Sequence, residues 1–265
     1  MRDYYCTMEA DKFYHVFNRG NNKSNLFYKP ENYKFFLRRY DEYLSPYINT
    51  YAYSLMPNHF HFLVQVKSDE EVMSNFLKRK EKPLEGKQKP LREVSALIGY
   101  EKEKPFGKVS PLISCEKQKP FEKVSALTGD EKQKPFKKVS ALSGLTTSEI
   151  ISNRFQAFFT SYSMAINKQE KRSGALFLKP FKRVFVDSTQ YFSRLVFYIH
   201  ANPQLHGIID DFRHYPWNSY EGIISSKPTK LKRDSILEWF DDRENYISYH
   251  TQIADLDDIR NLLIE

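Results

Sequence analysis

Three observations predict an α+β fold of the ferredoxin-like kind, a βαββαβ sandwich with an antiparallel sheet, helices on one face and a further helix after the last strand. Short β-branched and aromatic runs alternate with longer runs of helical period, in the order strand, helix, strand, strand, helix, strand, helix. A Pro-Asn turn at Met56-Pro57-Asn58 separates two adjacent strand runs, which makes them a hairpin. A low-complexity insertion at about 80–145 interrupts this order without changing it.

Taken in order, Phe13-Tyr14-His15-Val16-Phe17-Asn18-Arg19 reads as a first strand closed by Gly20-Asn21-Asn22. Residues 30–44 carry Tyr33, Phe36, Leu37 and Tyr40 at helical spacing behind Pro30, a residue suited to a helix start. The runs 47–55 and 59–66 supply the hairpin strands. A helix beginning at Glu70 runs into the insertion at Lys80, and a second run, 148–167, places Ile151, Phe155, Phe158, Phe159, Tyr162 and Ile166 at helical spacing. Leu176-Phe177 and Arg183-Val184-Phe185-Val186 read as strand material. The last helix of the core spans Ser188 to Asn202, where Pro203 is expected to stop it. The runs 236–240 and 253–264 look like two amphipathic helices packing on the core.

The domain organisation follows: a core of 1–79 and 146–222, the insertion 80–145, and an acidic helical segment 223–265. In the insertion Lys89-Pro90-Leu91, Lys104-Pro105-Phe106, Lys119-Pro120-Phe121 and Lys134-Pro135-Phe136 recur every fifteen residues. Each copy has few apolar side chains, so a flexible basic arm is expected rather than a packed repeat domain. The segment 80–145 holds fifteen Lys and Arg against nine Asp and Glu, whereas 234–265 holds nine acidic residues against Arg243 and Arg260. The remaining core is therefore basic too, on a chain of net charge +8, and that balance favours an anionic partner.

Composition narrows the class further. Aromatic residues make up 15% of the chain, with 18 Tyr and 21 Phe, enough for a large ring-packed core. No apolar run reaches the roughly 18 to 20 residues of a membrane span, and no apolar segment follows Met1-Arg2-Asp3, so a cytoplasmic, nucleoid-associated protein with no membrane partner is expected. Cys6 and Cys115 provide neither a disulfide framework nor a zinc-knuckle spacing.

Chemistry is concentrated at His59-Phe60-His61. In a strand, residues two apart point to the same side, so both imidazoles share one face while Phe60 and Phe62 share the other. Such a pair is either a metal site or a pair of hydrogen-bonded core residues. Tyr198 and Asn202, four apart on a helix, likewise share a face, whereas His200 points elsewhere and is expected to be a structural hydrogen-bonder.

Five segments in a fixed order make the chain resemble the REP-associated tyrosine transposases, single-tyrosine HUH enzymes with a transposase IS200-like domain. These are Tyr14-His15-Val16 with Asn18-Arg19-Gly20; Ala52 through His61; Ser173-Gly174-Ala175-Leu176-Phe177 with Phe181-Lys182-Arg183; Tyr198 through Pro203; and Tyr215-Pro216-Trp217-Asn218-Ser219-Tyr220. The repeats at 80–145 depart from the family's pattern. The resemblance implies a divalent metal, Mg²⁺ or Mn²⁺, held by His59, His61 and Asn202, with Tyr198 as the catalytic nucleophile on the C-terminal catalytic helix. It implies cleavage and transfer of single-stranded hairpin DNA through a 5′-phosphotyrosine, by a monomer or homodimer, with no nucleotide cofactor. Arg19, Lys168, Lys171, Arg172, Lys179, Lys182 and Arg183 are the expected DNA-binding residues, and Trp217 and Tyr220 serve either as base-stacking rings or as packing anchors. Two rivals remain open: a catalytically inactive hairpin DNA- or RNA-binding protein, and a metal-dependent phosphoesterase.

Overall fold

The computed structural model describes residues 3–80 and 144–251. The fifteen-residue repeats and the helix expected at 253–264 lie outside the described residues. The core elements are β1 (Phe13–Arg19), α1 (Pro30–Leu44), β2 (Ile48–Met56), β3 (His59–Val66), α2 (Asp69–Lys80), α3 (Thr147–Gln169), β4 (Lys182–Phe185) and α4 (Thr189–Leu205). Three short helices follow, α5 (Tyr220–Ile224), α6 (Arg233–Trp239) and α7 (Arg243–Thr251).

The four strands form one antiparallel sheet in the order β2-β3-β1-β4, so the hairpin is split from β4 by the first strand. That is the ferredoxin-like order. Strand periodicity sorts the side chains onto two unlike faces. One face presents Phe60 and Phe62 to α1 and α3, where Phe36, Tyr40, Phe158 and Tyr162 complete a buried ring cluster. Tyr40 stacks on Phe62 at 4.3 Å between centroids, and its hydroxyl shares a 2.8 Å hydrogen bond with Thr50. A register shift between Thr50 and Ala52 explains how Thr50 and Tyr53, an odd number of residues apart, both serve this face, since Tyr53 pairs with Phe62. Tyr51 meanwhile meets Phe13 and Phe192 beneath α4.

The second face carries His15, Phe17, His59 and His61 and is covered by α4, so the sheet has helices on both sides once the last helix is counted. Thr146 caps α3: its hydroxyl accepts from the Glu149 amide while the Glu149 carboxylate accepts from the Thr146 amide at 2.7 Å.

Two sequence expectations are corrected. Pro203 does not stop α4, which runs on to Leu205 and is closed by the His206 amide donating to the Asn202 carbonyl at 3.0 Å. A proline one turn from the end costs little, because few intrahelical bonds remain to be lost. Leu176-Phe177 is not a strand; Phe177 makes an isolated bridge to Gly20, and only Lys182–Phe185 pairs along β1.

The acidic segment packs on the core as far as it is described. Trp239 stacks on Phe192 at 4.1 Å, Ile236 and Tyr246 are buried, and Lys230 bonds Asp41 at 2.6 Å. His200 is the hinge of this packing. Its Nε2 meets Ser219 Oγ at 2.7 Å and its Nδ1 meets His250 Nε2 at 3.0 Å.

Burial holds both imidazoles neutral, His200 far below the ordinary 6.5 and His250 down to about 3. Below about pH 6.5 the unfolded chain takes up protons that the folded chain refuses. Stability is therefore full above that pH and falls as pH drops from 6.5 toward 3, by up to about 1.4 kcal/mol per pH unit for each histidine. Melting temperatures measured from pH 7.5 to pH 5 should fall accordingly, and His250→Gln should fall less steeply than wild type. Equal slopes for the two proteins would contradict this burial.

Candidate active site

The site is assembled from β3, β1 and α4. β3 supplies His59 and His61, and α4 lays Tyr198 and Asn202, with His206 at its C-cap, in one stripe above them, four residues apart each time. His59 Nε2 lies 3.3 Å from Asn202 Oδ1. The Tyr198 ring stands edge-on to His61 at 5.5 Å and to His15 at 6.2 Å. The His206 ring meets His59 at 4.7 Å. His61 is buried and neutral, its pKa well below the ordinary value because of desolvation first and the neighbouring His15, His59 and His206 second. Tyr198 and Asn202 are both 0% exposed, and His59 is partly open to solvent.

The turn before β3 is fixed from two sides. The Gly20 amide donates to the Asn58 carbonyl at 2.7 Å, and the Leu26 amide donates to the Pro57 carbonyl at 2.7 Å. Asn58 in turn orients His59, with Oδ1 and Nδ1 2.7 Å apart. With Nδ1 donating to that oxygen, Nε2 of His59 is a lone pair facing Asn202 Oδ1, itself an acceptor. Two acceptors 3.3 Å apart suit a shared cation. Asn202 Nδ2 is buried without a hydrogen bond among the described residues. Turning the amide would satisfy His59 with Nδ2 and orphan Oδ1 instead, so one polar atom of this buried group is left over either way. The donor set of imidazoles and an amide oxygen therefore fits a divalent ion completed by phosphate oxygens and water. Among the described residues no group of three or more His, Cys, Asp and Glu side chains is arranged to hold a metal.

The expected DNA-binding residues divide. Arg19 is exposed and pairs in register with His59, and Lys182 pairs with Phe17, its ammonium over the Phe17 and Tyr4 rings at 5.6 and 5.3 Å. Both flank the histidines. Lys179 is exposed just after Leu178, whose amide donates to the Arg19 carbonyl, while Lys168 and Lys171 are exposed near the end of α3. Arg172 is half-buried and reaches the Ala175 carbonyl at 3.5 Å. Arg183 is occupied otherwise, donating to the carbonyls of Cys6 at 2.7 Å and Tyr5 at 3.2 Å, so it pins the N-terminal segment to β4. Trp217 stacks on Tyr33 at 4.5 Å and Tyr220 is buried, so both rings are packing anchors.

Sequence reasoning missed three neighbours of the site: His15, His206 and the orienting role of Asn58. His15 was signalled by its phase, two before Phe17 and four before Arg19 on the face shared with the histidines. A groove of about 480 Å³ lined by Lys29, Lys34, Phe35, Arg38 and Gln169 lies between α1 and α3, on the other side of the sheet from Tyr198.

Gly20 is required by a close approach: a Cβ there would lie 1.9 Å from the Ser24 carbonyl oxygen. Gly20→Ala should displace the turn that carries His59 and destabilise the protein by about 2 kcal/mol or more, a fall of roughly 4 to 8 °C in melting temperature. A thermal melt within 1 °C or so of wild type would contradict the steric argument.

No family model matches the chain, and no curated protein matches it. Among solved structures, the chain is similar to a REP-associated tyrosine transposase bound to a REP hairpin, at 10% identity over 85% of this chain and 87% of that one, with a TM-score of 0.46.

Proposed function

We propose that the chain is a metal-dependent, single-tyrosine enzyme that cleaves and rejoins single-stranded hairpin DNA. One observation carries the reading: a phenol and a carboxamide from α4 meet the imidazole pair of β3, with Asn202 3.3 Å from His59 and Tyr198 5.5 Å from His61.

His59, His61 and Asn202 would hold Mg²⁺ or Mn²⁺, which when bound supplies charge stabilisation to the scissile phosphate. Arg19 and Lys182 would add positive charge beside the same face, steering the DNA backbone toward it. The Tyr198 oxygen attacks phosphorus and loses its proton to solvent. The bond from phosphorus to the 3′ oxygen breaks, that oxygen leaves as a hydroxyl after gaining a proton, and a 5′-phosphotyrosine remains. Attack by another 3′-hydroxyl reverses the step, and the retained phosphodiester energy makes a nucleotide cofactor unnecessary.

Tyr198 is 0% exposed, so attack requires α4 to shift off the histidine face when DNA arrives. The same burial favours a second reading, a hairpin-binding protein that does no chemistry. Incubating the full chain with end-labelled single-stranded hairpin DNA and Mn²⁺, followed by denaturing electrophoresis, separates the readings. A protein adduct on the 5′-phosphate fragment, lost in Tyr198→Phe and reduced at least about 100-fold in His61→Ala, is the expected result. Binding without an adduct would support the non-catalytic protein, and free hydrolysed ends that persist in Tyr198→Phe would support a phosphoesterase.

A further inference from the structure

His15 has no part in the reaction as drawn, yet it is 0% exposed and its Nε2 lies 2.9 Å from Nδ1 of His61. The contact is a diagonal one across β1 and β3, since His61 pairs in register with Phe17, two residues on. Phe17 fixes the geometry. Its ring lies nearly parallel to both imidazoles, 28° from His15 at 4.7 Å and 13° from His61 at 5.6 Å, while the imidazoles lie 23° apart. Three stacked rings leave little freedom for either histidine to turn.

When both imidazoles are neutral, a contact of 2.9 Å requires that one nitrogen carry the hydrogen and the other the lone pair. If His15 donates, His61 must carry its own hydrogen on Nε2, which then cannot ligate a cation. If His61 donates through Nδ1, its Nε2 is a free lone pair, and no hydrogen bond occupies that atom among the described residues. His59 follows the second pattern: its Nδ1 is engaged by Asn58 and its Nε2 faces Asn202. The two histidines of β3 thus each have an outer partner at Nδ1, one from the preceding turn and one from the neighbouring strand. Such partners set which ring nitrogen is free to bind a metal.

We propose that His15 is a positioning residue: it accepts a hydrogen bond from Nδ1 of His61 and so fixes His61 in the tautomer that offers Nε2 to a divalent cation. The cation part rests on the metal reading above, while the tautomer part does not.

The test uses the full chain labelled with ¹⁵N-histidine, without metal and at pH 8, where long-range ¹H–¹⁵N spectra distinguish the two tautomers. His61 is identified by the signal lost in His61→Gln. Wild type should show His61 with hydrogen on Nδ1. His15→Gln, whose carbonyl can still accept, should keep that tautomer, and His15→Phe should lose it. Mn²⁺ titrations followed by electron paramagnetic resonance should show about 10- to 100-fold weaker binding in His15→Phe and less than about threefold in His15→Gln. Circular dichroism of each variant separates loss of fold from loss of positioning, and the Gln variant decides if Phe does not fold. Hydrogen on Nε2 of His61 in wild type would overturn the assignment, as would unchanged Mn²⁺ affinity in a folded His15→Phe. A wild type that binds no Mn²⁺ would refute the metal reading, and the tautomer alone would then decide the role of His15.

Discussion

Burying imidazoles on a sheet face is the constraint around which this molecule is organised. Removing polar rings from water costs free energy unless their nitrogens find partners, and one nitrogen each of His15 and His61 meets that demand in the other ring at 2.9 Å. Phe17 stacks on both rings, and α4 closes over the pair with Tyr198. The opposite face needs no such arrangement. There Phe36, Tyr40, Phe60, Phe62, Phe158 and Tyr162 form a ring cluster whose hydroxyls bond locally, Tyr40 to Thr50 and Tyr162 to the Leu26 carbonyl. One sheet thus separates a stabilising apolar layer from a polar layer with chemical potential.

The placement of α4 is over-determined. Its N-terminal half is held by Phe192 against Phe13, Tyr51 and Trp239. Further along, His200 bonds His250 of α7 and Ser219, which in turn bonds the Tyr53 backbone of β2, so α4 is tied both to a C-terminal helix and to the edge strand. Tyr198 and His200, two residues apart, therefore do opposite things: one faces the imidazoles, the other fastens the helix to the acidic segment. A helix restrained along its length accounts for the full burial of Tyr198.

Much of this was legible in the sequence because period settles faces. Alternation in His59-Phe60-His61-Phe62 assigned rings to one side and imidazoles to the other, and the spacing of Tyr198 and Asn202 put both on one helix face. The convergence of these two pairs was legible only through the family resemblance, since no local rule states which helix covers which strand. Other features were illegible for specific reasons. The register shift after Thr50 depends on cross-strand partners, and the continuation of α4 past Pro203 on how little helix remained to be disrupted. Arg183 read as a phosphate contact because sequence cannot show that the carbonyls of Tyr5 and Cys6 already occupy it. The Thr146 cap was the opposite case: the Thr-x-x-Glu signature stood at 146–149, two residues before the start assigned to that helix.

The central question is whether the imidazole pair and the α4 amide form one cation site beneath Tyr198. Crystals of the full chain soaked in Mn²⁺ and measured at the manganese absorption edge test this directly. An anomalous peak is expected about 2.1 to 2.3 Å from nitrogens of His59 and His61 and from the side-chain oxygen of Asn202. Density at saturating Mn²⁺ that leaves these three side chains in their hydrogen-bonded positions with no peak between them would contradict it.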